Sequence, residues 1–308
     1  MNLRQKEEHI MKKGWRGVAL LLAMVICGPF LFAGTSSAAG SGSDETIFQS
    51  GAILTVAESK RLIGKAVAQM PVVKNALANG MVIIIKGTTN AYVAEEITGK
   101  KANHAAFVTG RIEPEKGTKN LPEAKAVNHV ILVKGKIVDL SLGDAAKKLT
   151  AGDVVIKGAN ALDYKNKVAA VNILHPEGGT TGITMPFIVA RKVHLVIPVG
   201  LEKVVAEDVV DMTLKTREPV QLLPPPAGRL TNRYAGHMIP SQWLLTGEIV
   251  TELEAIKLLT GATAFQCSAG GISGAEGGVW LVFRGTRDQV KKALDLANSI
   301  QGEPPYSE

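Results

Sequence analysis

The sequence predicts an α/β fold with a mostly parallel, doubly wound sheet, preceded by an N-terminal signal segment and followed by a C-terminal α+β subdomain. Three observations support this prediction. Short apolar runs typical of buried strands alternate with helical segments between residues 55 and 200. Four prolines within residues 219–226 then interrupt the alternation. The chain begins with basic residues followed by a long apolar run.

The first 39 residues have the composition of a secretory signal. Lys12, Lys13 and Arg16 precede the apolar run 17–34, and small residues follow it. A basic start, an apolar centre and a small-residue exit are the three parts of a signal peptide, so we expect cleavage after Ala38 or the next residue. The remaining chain would then be periplasmic or extracellular. The alternative is an uncleaved anchor with one inner-membrane span and an exported domain, because about 18 apolar residues just cross a bilayer.

Composition and pattern divide the chain into four segments. We expect a signal peptide or signal anchor in residues 1–39 and an α/β ligand-binding domain in residues 40–218. The proline-rich stretch indicates a linker or strap over residues 219–250. Residues 251–308 have the helix–strand–strand–helix pattern of a small α+β subdomain.

Charge and cysteine content limit the partners. The formal net charge is +7, but the leader holds five of the 35 basic and two of the 28 acidic residues, which leaves 30 against 26. No basic block interleaved with aromatic residues remains, so we predict no nucleic-acid partner and contact with a membrane only through the N-terminal segment. Cys267 is the only cysteine after the leader, which excludes a disulfide within the mature chain. No metal-ligand spacing is present, and we predict neither a metal nor a cofactor.

Two apolar strands each lead into a Gly-Thr-Thr turn and then into a helix-like run. Strand, turn and helix span residues 81–98 in one copy and residues 171–190 in the other. Such a turn presents unpaired backbone N–H groups and the positive end of a helix dipole, which suits a phosphate or a carboxylate. The turns therefore predict a site for a small anionic ligand. The alternative is an ordinary helix N-cap at the first turn and an adaptable loop at the second.

A third strand end contributes to the predicted site. Lys157 ends the predicted buried strand 153–157 and Asn160 comes shortly after it, where the ligand crevice of an α/β fold lies. The lysine would pair with the anion; alternatively, its side chain extends from the strand end into solvent. The predicted ligand-binding residues are Gly87, Thr88, Thr89, Asn90, Lys157, Asn160, Gly179, Thr180 and Thr181. If the protein is an enzyme, the catalytic candidates are Lys157, Asp163 and His175, although a histidine at this position is also compatible with an exposed loop.

The first turn resembles the phosphate-binding turn of the superfamily of ribose-5-phosphate isomerase and glucosamine-6-phosphate deaminase, which includes the CoA transferases. The turn continues into Tyr92-Val93-Ala94-Glu95-Glu96, and residues 154–160 resemble the isomerase strand that carries Asp-Gly-Ala-Asp. The resemblance covers about residues 55–200 and implies a site for a phosphorylated metabolite. This chain has Lys157 and Asn160 where the isomerases have acids. Because aldose–ketose isomerisation needs a carboxylate base, the resemblance implies binding or sensing rather than isomerisation.

The sequence thus favours an exported small-molecule-binding protein that recognises an anionic metabolite. Two alternatives remain. One is an enzyme, isomerase-like or transferase-like, that acts on a phosphorylated or acyl substrate. The other is an envelope interaction or scaffold protein that docks a protein partner at the Gly-rich segment 270–278.

Overall fold

The computed structural model describes residues 46–109, 112, 127–223 and 239–306, and these residues contain twelve strands and eight α-helices. The strands are β1 (Phe48–Leu54), β2 (Met81–Ile84), β3 (Val130–Val133), β4 (Lys136–Ile137), β5 (Val154–Ile156), β6 (Ala161–Asp163), β7 (Val168–Ile173), β8 (His194–Pro198), β9 (Ser241–Leu245), β10 (Glu248–Val250), β11 (Thr263–Gly270) and β12 (Gly278–Gly285). The helices are α1 (Val56–Gln69), α2 (Pro71–Asn79), α3 (Thr88–Thr98), α4 (Leu142–Lys148), α5 (Gly179–Arg191), α6 (Val209–Lys215), α7 (Glu252–Thr260) and α8 (Arg287–Ile300). A 3₁₀ turn, Leu201–Lys203, follows β8.

The largest sheet has six strands in the order β10-β8-β5-β2-β3-β4. Its first four strands are parallel, and β3 and β4 add an antiparallel hairpin at one edge. The predicted α/β class is confirmed, but the sheet is mixed. Across the sheet the four parallel strands follow one another in chain order, without the reversal that defines the crevice of many doubly wound folds.

Both faces of this sheet are buried. Val82 and Ile84 of β2 belong to an apolar core with α1, α7 and α8, whereas Ile83 and the following Ile85 belong to a second core with α4 and α5. Successive strand residues point to opposite faces, so a strand that is covered on both sides must be apolar at every position. This explains the uninterrupted apolar run that marks β2 in the sequence.

The N-terminal and C-terminal parts of the described chain share one sheet. β1 pairs antiparallel with β12, from Phe48 opposite Gly285 to Leu54 opposite Val279, and β11 pairs with the other side of β12. The predicted helix–strand–strand–helix pattern of residues 251–308 is present as α7, β11, β12 and α8. However, these elements share an apolar core with α1 and with strands of the main sheet, so they do not have a core of their own.

The segment predicted as a linker contains two strands. Residues 219–223 and 239–250 of this segment are described. Within them, β9 pairs with β7 in a small three-stranded sheet, and β10 forms an edge of the main sheet beside β8. These strands are short, which is why the proline-rich composition next to them dominated the sequence pattern.

The predicted signal segment, residues 1–39, lies outside the described residues. In the part of the chain that the structure describes, no helix has the length and apolar character needed to cross a membrane.

The shared core predicts how the C-terminal elements unfold. Phe283 of β12 is fully buried, whereas Phe265 of β11 is 46% exposed. We expect Phe283→Ala to lower the free energy of unfolding of the whole protein by about 3–5 kcal/mol, because the truncation leaves a cavity. Phe265→Ala is the matched control and should cost less than about 1 kcal/mol. Urea unfolding followed by circular dichroism measures both.

A single shifted transition is expected for Phe283→Ala. A separate early transition, with the remainder of the protein unfolding as before, would contradict the shared core and support an independent C-terminal subdomain.

Candidate functional site

Two helices that begin beside the carboxyl ends of the parallel strands lack side-chain caps. α3 begins after Gly87 and α5 begins after Gly178, and neither residue offers a side-chain acceptor. The first N–H groups of these helices, at residues 88–90 and 179–181, have no intrahelical acceptor. Five other helices begin with a capping side chain: Thr55, Ser141, Asp208, Thr251 and Thr286. The starts of α3 and α5 therefore retain backbone donors for a ligand.

Lys157 lies between these two helix starts, directly after β5. Its residue is only 4% exposed, and its Nζ donates a hydrogen bond to Thr180 Oγ1 at 3.1 Å. Among the described residues no carboxylate lies within ion-pair distance of this ammonium group. Burial lowers the pKa of Lys157 to about 8, so the side chain stays mostly protonated at pH 7. A buried cation without a counter-ion is a ready partner for an anion.

Lys86 and His129 add to the positive character of this region. The backbone N–H of Lys86 donates to His129 Nδ1 at 3.0 Å, which ties the end of β2 to the residue before β3. Burial, together with the charges of Lys86 and Lys157, lowers the pKa of His129 to about 4. The imidazole is therefore neutral at pH 7 and leaves two lysines as the local charges. Sequence reasoning missed both residues, although Lys86 directly precedes the predicted Gly-Thr-Thr turn.

Asn90 joins the carboxyl ends of the two central strands. Its Nδ2 donates to the backbone oxygen of Ile85 at 2.7 Å and to that of Ile156 at 3.1 Å. Its Oδ1 is buried and has no hydrogen-bond partner in the described chain. The amide therefore combines a structural role with an acceptor that the protein leaves unsatisfied.

The glycines of the site differ in what they do. Gly179 has a φ of 54°, and a Cβ at Gly182 would lie 1.9 Å from Glu177 O, so the start of α5 needs glycine for backbone reasons. Gly87 has extended backbone, and a Cβ there would meet only Asn90 Cβ, at 4.0 Å. The fold does not require glycine at position 87, but its absent side chain leaves space beside the start of α3.

The remaining threonines of the turns are close to the backbone donors. Thr88 is half-buried, and Thr89 and Thr181 are 7% and 1% exposed. Their hydroxyls form no hydrogen bond with a described residue. They lie on the first turns of α3 and α5, beside the backbone donors of these turns.

Asn160 has partners within its own hairpin. Its Oδ1 accepts a hydrogen bond from the backbone N–H of Asn172 at 3.0 Å, and its own N–H donates to Ala170 O at 2.8 Å. These bonds hold the start of β6 against β7. The sequence placed Asn160 in the crevice because it comes shortly after an apolar strand, and the structure shows that the same residue directly precedes β6.

The three catalytic candidates are not joined to one another. Asp163 accepts hydrogen bonds from Asn166 N and Nδ2 at 2.9 and 2.7 Å, which fixes a β-turn. His175 Nδ1 accepts from the backbone N–H of Glu177 at 3.2 Å. Within the described residues, no hydrogen bond or ion pair connects Lys157, Asp163 and His175. Direct proton transfer between them would need hydrogen-bond contact, which the described residues do not show.

A cavity of about 800 Å³ lies near the start of α5 but does not contain the lysines. It is lined by the turn from Ile173 to Gly178 and by β9, including Trp243, with Arg217 at its border. The cavity and the buried lysine therefore indicate two different positions for a ligand. The two places differ in burial, because Arg217 is exposed and keeps its terminal guanidinium N–H groups for solvent or a ligand, whereas Lys157 is buried with only a hydroxyl partner.

A second buried polar cluster lies at the ends of β8 and β10. Glu252, at the start of α7, is fully buried and accepts hydrogen bonds from the backbone N–H of Leu201, the shorter at 2.9 Å. The nearby Glu202 carboxylate has no hydrogen-bond donor among the described residues, and Lys203 lies 3.9 Å from it. Burial, followed by the charge of Glu202, raises the pKa of Glu252 to about 7. Lys60 of α1 is also buried here, and burial lowers its pKa.

Comparison with protein-family models, curated proteins and solved structures finds no match. The site must therefore be interpreted from its own geometry.

Burial of the Lys157 ammonium group should lower the free energy of unfolding by a measurable amount. Its pKa is about 8 in the folded chain and 10.5 when unperturbed, so between these pH values the unfolded chain binds more protons and stability rises with pH. Below pH 8 the buried charge costs about 3 kcal/mol. We expect Lys157→Met to raise the free energy of unfolding at pH 7 by roughly this amount, and the gain to vanish near pH 10.5.

Lys292→Met, at an exposed position of α8, is the matched control and should change stability by less than about 0.5 kcal/mol. Denaturant unfolding of both variants at pH 7 and pH 10.5 gives the comparison. A loss of stability in Lys157→Met at pH 7 would show that the ammonium group has a partner that stabilises it.

Burial of Glu252 should make stability depend on pH in the opposite direction. Its folded pKa of about 7 exceeds the ordinary value of 4.5, so the folded chain binds more protons between these pH values and stability falls as pH rises. Above pH 7 the ionised group costs on the order of 3 kcal/mol. We expect Glu252→Gln to stabilise the protein at pH 8 and to give no gain at pH 4.5. Glu248→Gln, at an exposed position of β10, is the matched control and should leave stability unchanged at both pH values. If the free energy of unfolding depends on pH in the same way in both variants, the raised pKa does not belong to Glu252.

Proposed function

We propose that this chain is an exported small-molecule-binding protein that recognises a phosphate- or carboxylate-bearing metabolite at the carboxyl ends of β2 and β5. The observation that carries the proposal is Lys157, a buried ammonium group whose only hydrogen-bond partner among the described residues is Thr180. A fold that keeps such a group sacrifices stability. Binding of an anion would offset this cost, because the ligand supplies the missing counter-charge.

The backbone supports the same ligand class. The starts of α3 and α5 present free N–H groups and the positive ends of their dipoles near Lys157. Lys86 adds a second positive charge, and His129 adds none at neutral pH because its pKa is low. Four different elements thus contribute donors to one region, and no described carboxylate competes with the ligand for Lys157.

Export is the other part of the proposal. It rests on the basic residues, apolar run and small-residue exit of residues 1–39. The proposed location is periplasmic or extracellular, with a single inner-membrane anchor as the alternative. The enzyme and scaffold hypotheses remain, and within the described residues no hydrogen bond joins Asp163 or His175 to Lys157.

A glycine substitution tests the anion site without disturbing the fold. Gly87→Ala adds a methyl group beside the free N–H groups of α3, with no contact closer than 4.0 Å. We expect stability to stay within about 1 kcal/mol of the parent, because glycine is not required there, while anion affinity falls at least about tenfold. Gly152→Ala is the matched control, since a Cβ there also meets nothing within 4 Å but the position is exposed and distant from the turn in sequence.

The measurement is thermal unfolding of purified residues 40–308 with phosphate monoesters and carboxylates. A ligand at 100 times its Kd should stabilise the parent and Gly152→Ala by about 2.7 kcal/mol. The proposal fails if no anion stabilises the parent. It also fails if Gly87→Ala or Lys157→Met binds the anion as tightly as the parent does.

A further inference from the structure

The orientation of the Asn90 amide is fixed by its neighbours. Both Nδ2 hydrogens are directed to backbone oxygens, of Ile85 at 2.7 Å and of Ile156 at 3.1 Å. The reversed amide would bring Oδ1 against two carbonyl oxygens with no hydrogen between them. Oδ1 is therefore the atom that remains without a partner.

This acceptor is deeply buried. Asn90 is 1% exposed, and Oδ1 has no donor in the described part of the chain. Buried polar atoms in native proteins nearly always have a hydrogen-bond partner, and an exception calls for an explanation. In a region otherwise dominated by donors, an unsatisfied acceptor is informative because a fully ionised carboxylate or phosphate has no hydrogen to donate to it.

The acceptor lies beside the residue that follows Lys157. A Cβ built on Gly158 would be 3.9 Å from Asn90 Oδ1 and 3.4 Å from Pro198 O, which are ordinary contact distances. A methyl group at position 158 would therefore stand beside Oδ1 without displacing either oxygen. Lys157, whose ammonium group would hold the anion, precedes Gly158 directly in the chain.

We infer that the ligand carries a hydroxyl group close to its anionic group, and that Asn90 Oδ1 accepts the hydrogen bond from this hydroxyl. The inference rests on the proposed anion site and specifies its ligand class. The anionic group takes the hydrogen bonds of the lysine and the helix starts, whereas the hydroxyl is the donor that the amide oxygen lacks. Asn90 is then a specificity-determining residue as well as a link between β2 and β5.

Matched ligand pairs test this inference on the unmodified protein. Glycolate is compared with acetate, and 2-hydroxyethyl phosphate with ethyl phosphate, by calorimetry at pH 7. In the pair whose anionic group fits the site, we expect the hydroxylated member to bind about tenfold more tightly, the gain of one satisfied buried hydrogen bond. The two pairs also distinguish a carboxylate site from a phosphate site.

A variant assigns the preference to Asn90. Gly158→Ala should fold, because its methyl group makes no contact below 3.4 Å, and should reduce the tenfold preference to about twofold or less by filling the space beside Oδ1. Gly152→Ala should keep the full preference.

If both members of each pair bind equally, as when a water molecule satisfies Oδ1, the inference is overturned while the anion site stands. If Gly158→Ala keeps the preference, Asn90 is not its source. If no ligand of either pair binds, the inference is overturned, and the screen of other anions then decides whether the proposed function fails with it.

Discussion

Burial of both faces of the parallel strands is the constraint on which the rest of the structure depends. Strands that are apolar at every position present apolar side chains on both faces of the sheet. A parallel sheet built from them therefore needs a covering layer on each side. α4 and α5, which lie between the parallel strands in the sequence, cover one face. The other face is covered by helices from both ends of the described chain, α1 before the sheet and α7 and α8 after it. This division explains why the terminal elements share a core with the central sheet.

The same constraint concentrates the polar chemistry at the carboxyl ends of the strands. Where the strands stop, backbone groups and helix starts meet without apolar cover, and the residues there need not be hydrophobic. Lys157 and Asn90 lie at one part of this edge, and Glu202 and Glu252 lie at another. Each set includes a buried polar atom without a hydrogen-bond partner among the described residues, Asn90 Oδ1 in one and the Glu202 carboxylate in the other. Such conflicts between a residue and its surroundings are typical of sites kept for function.

Local patterns predicted the elements well, and the reason is physical. Apolar runs marked the buried strands of the main sheet, and capping boxes, in which a Thr is followed three residues later by a Glu, stand at Thr55 and Thr251 before α1 and α7. These signals depend only on residues that are close together in the chain, so they can be recognised in a single sequence. The pairing of β1 with β12 depends on residues more than 200 positions apart, and no short pattern encodes it.

The candidate site shows the same limit. Lys157, Asn90 and the threonines were predicted because each follows an apolar strand. His129 was not, because it meets Lys86 only through the pairing of β2 with β3 across 43 positions. Asn160 has the same local signal as Asn90, yet its amide oxygen serves the β6–β7 hairpin. Glu252 reaches Leu201 across 51 positions, so the second cluster had no signal in the sequence.

The pairing of β1 with β12 also has a consequence for the order of folding. β1 is the first described strand and β12 follows it more than 200 residues later, so their sheet cannot form until all of the intervening chain has been made. Contacts between distant parts of a chain form slowly, since the loop that they close is long. Until β12 has been made, α1, which follows β1 directly, also lacks part of its packing partners, because α8 lies after β12 in the chain and α7 shortly before it. For a chain that is exported as proposed, this late closure keeps the N-terminal half incomplete during synthesis. The polypeptide would then pass a membrane before its sheets are assembled.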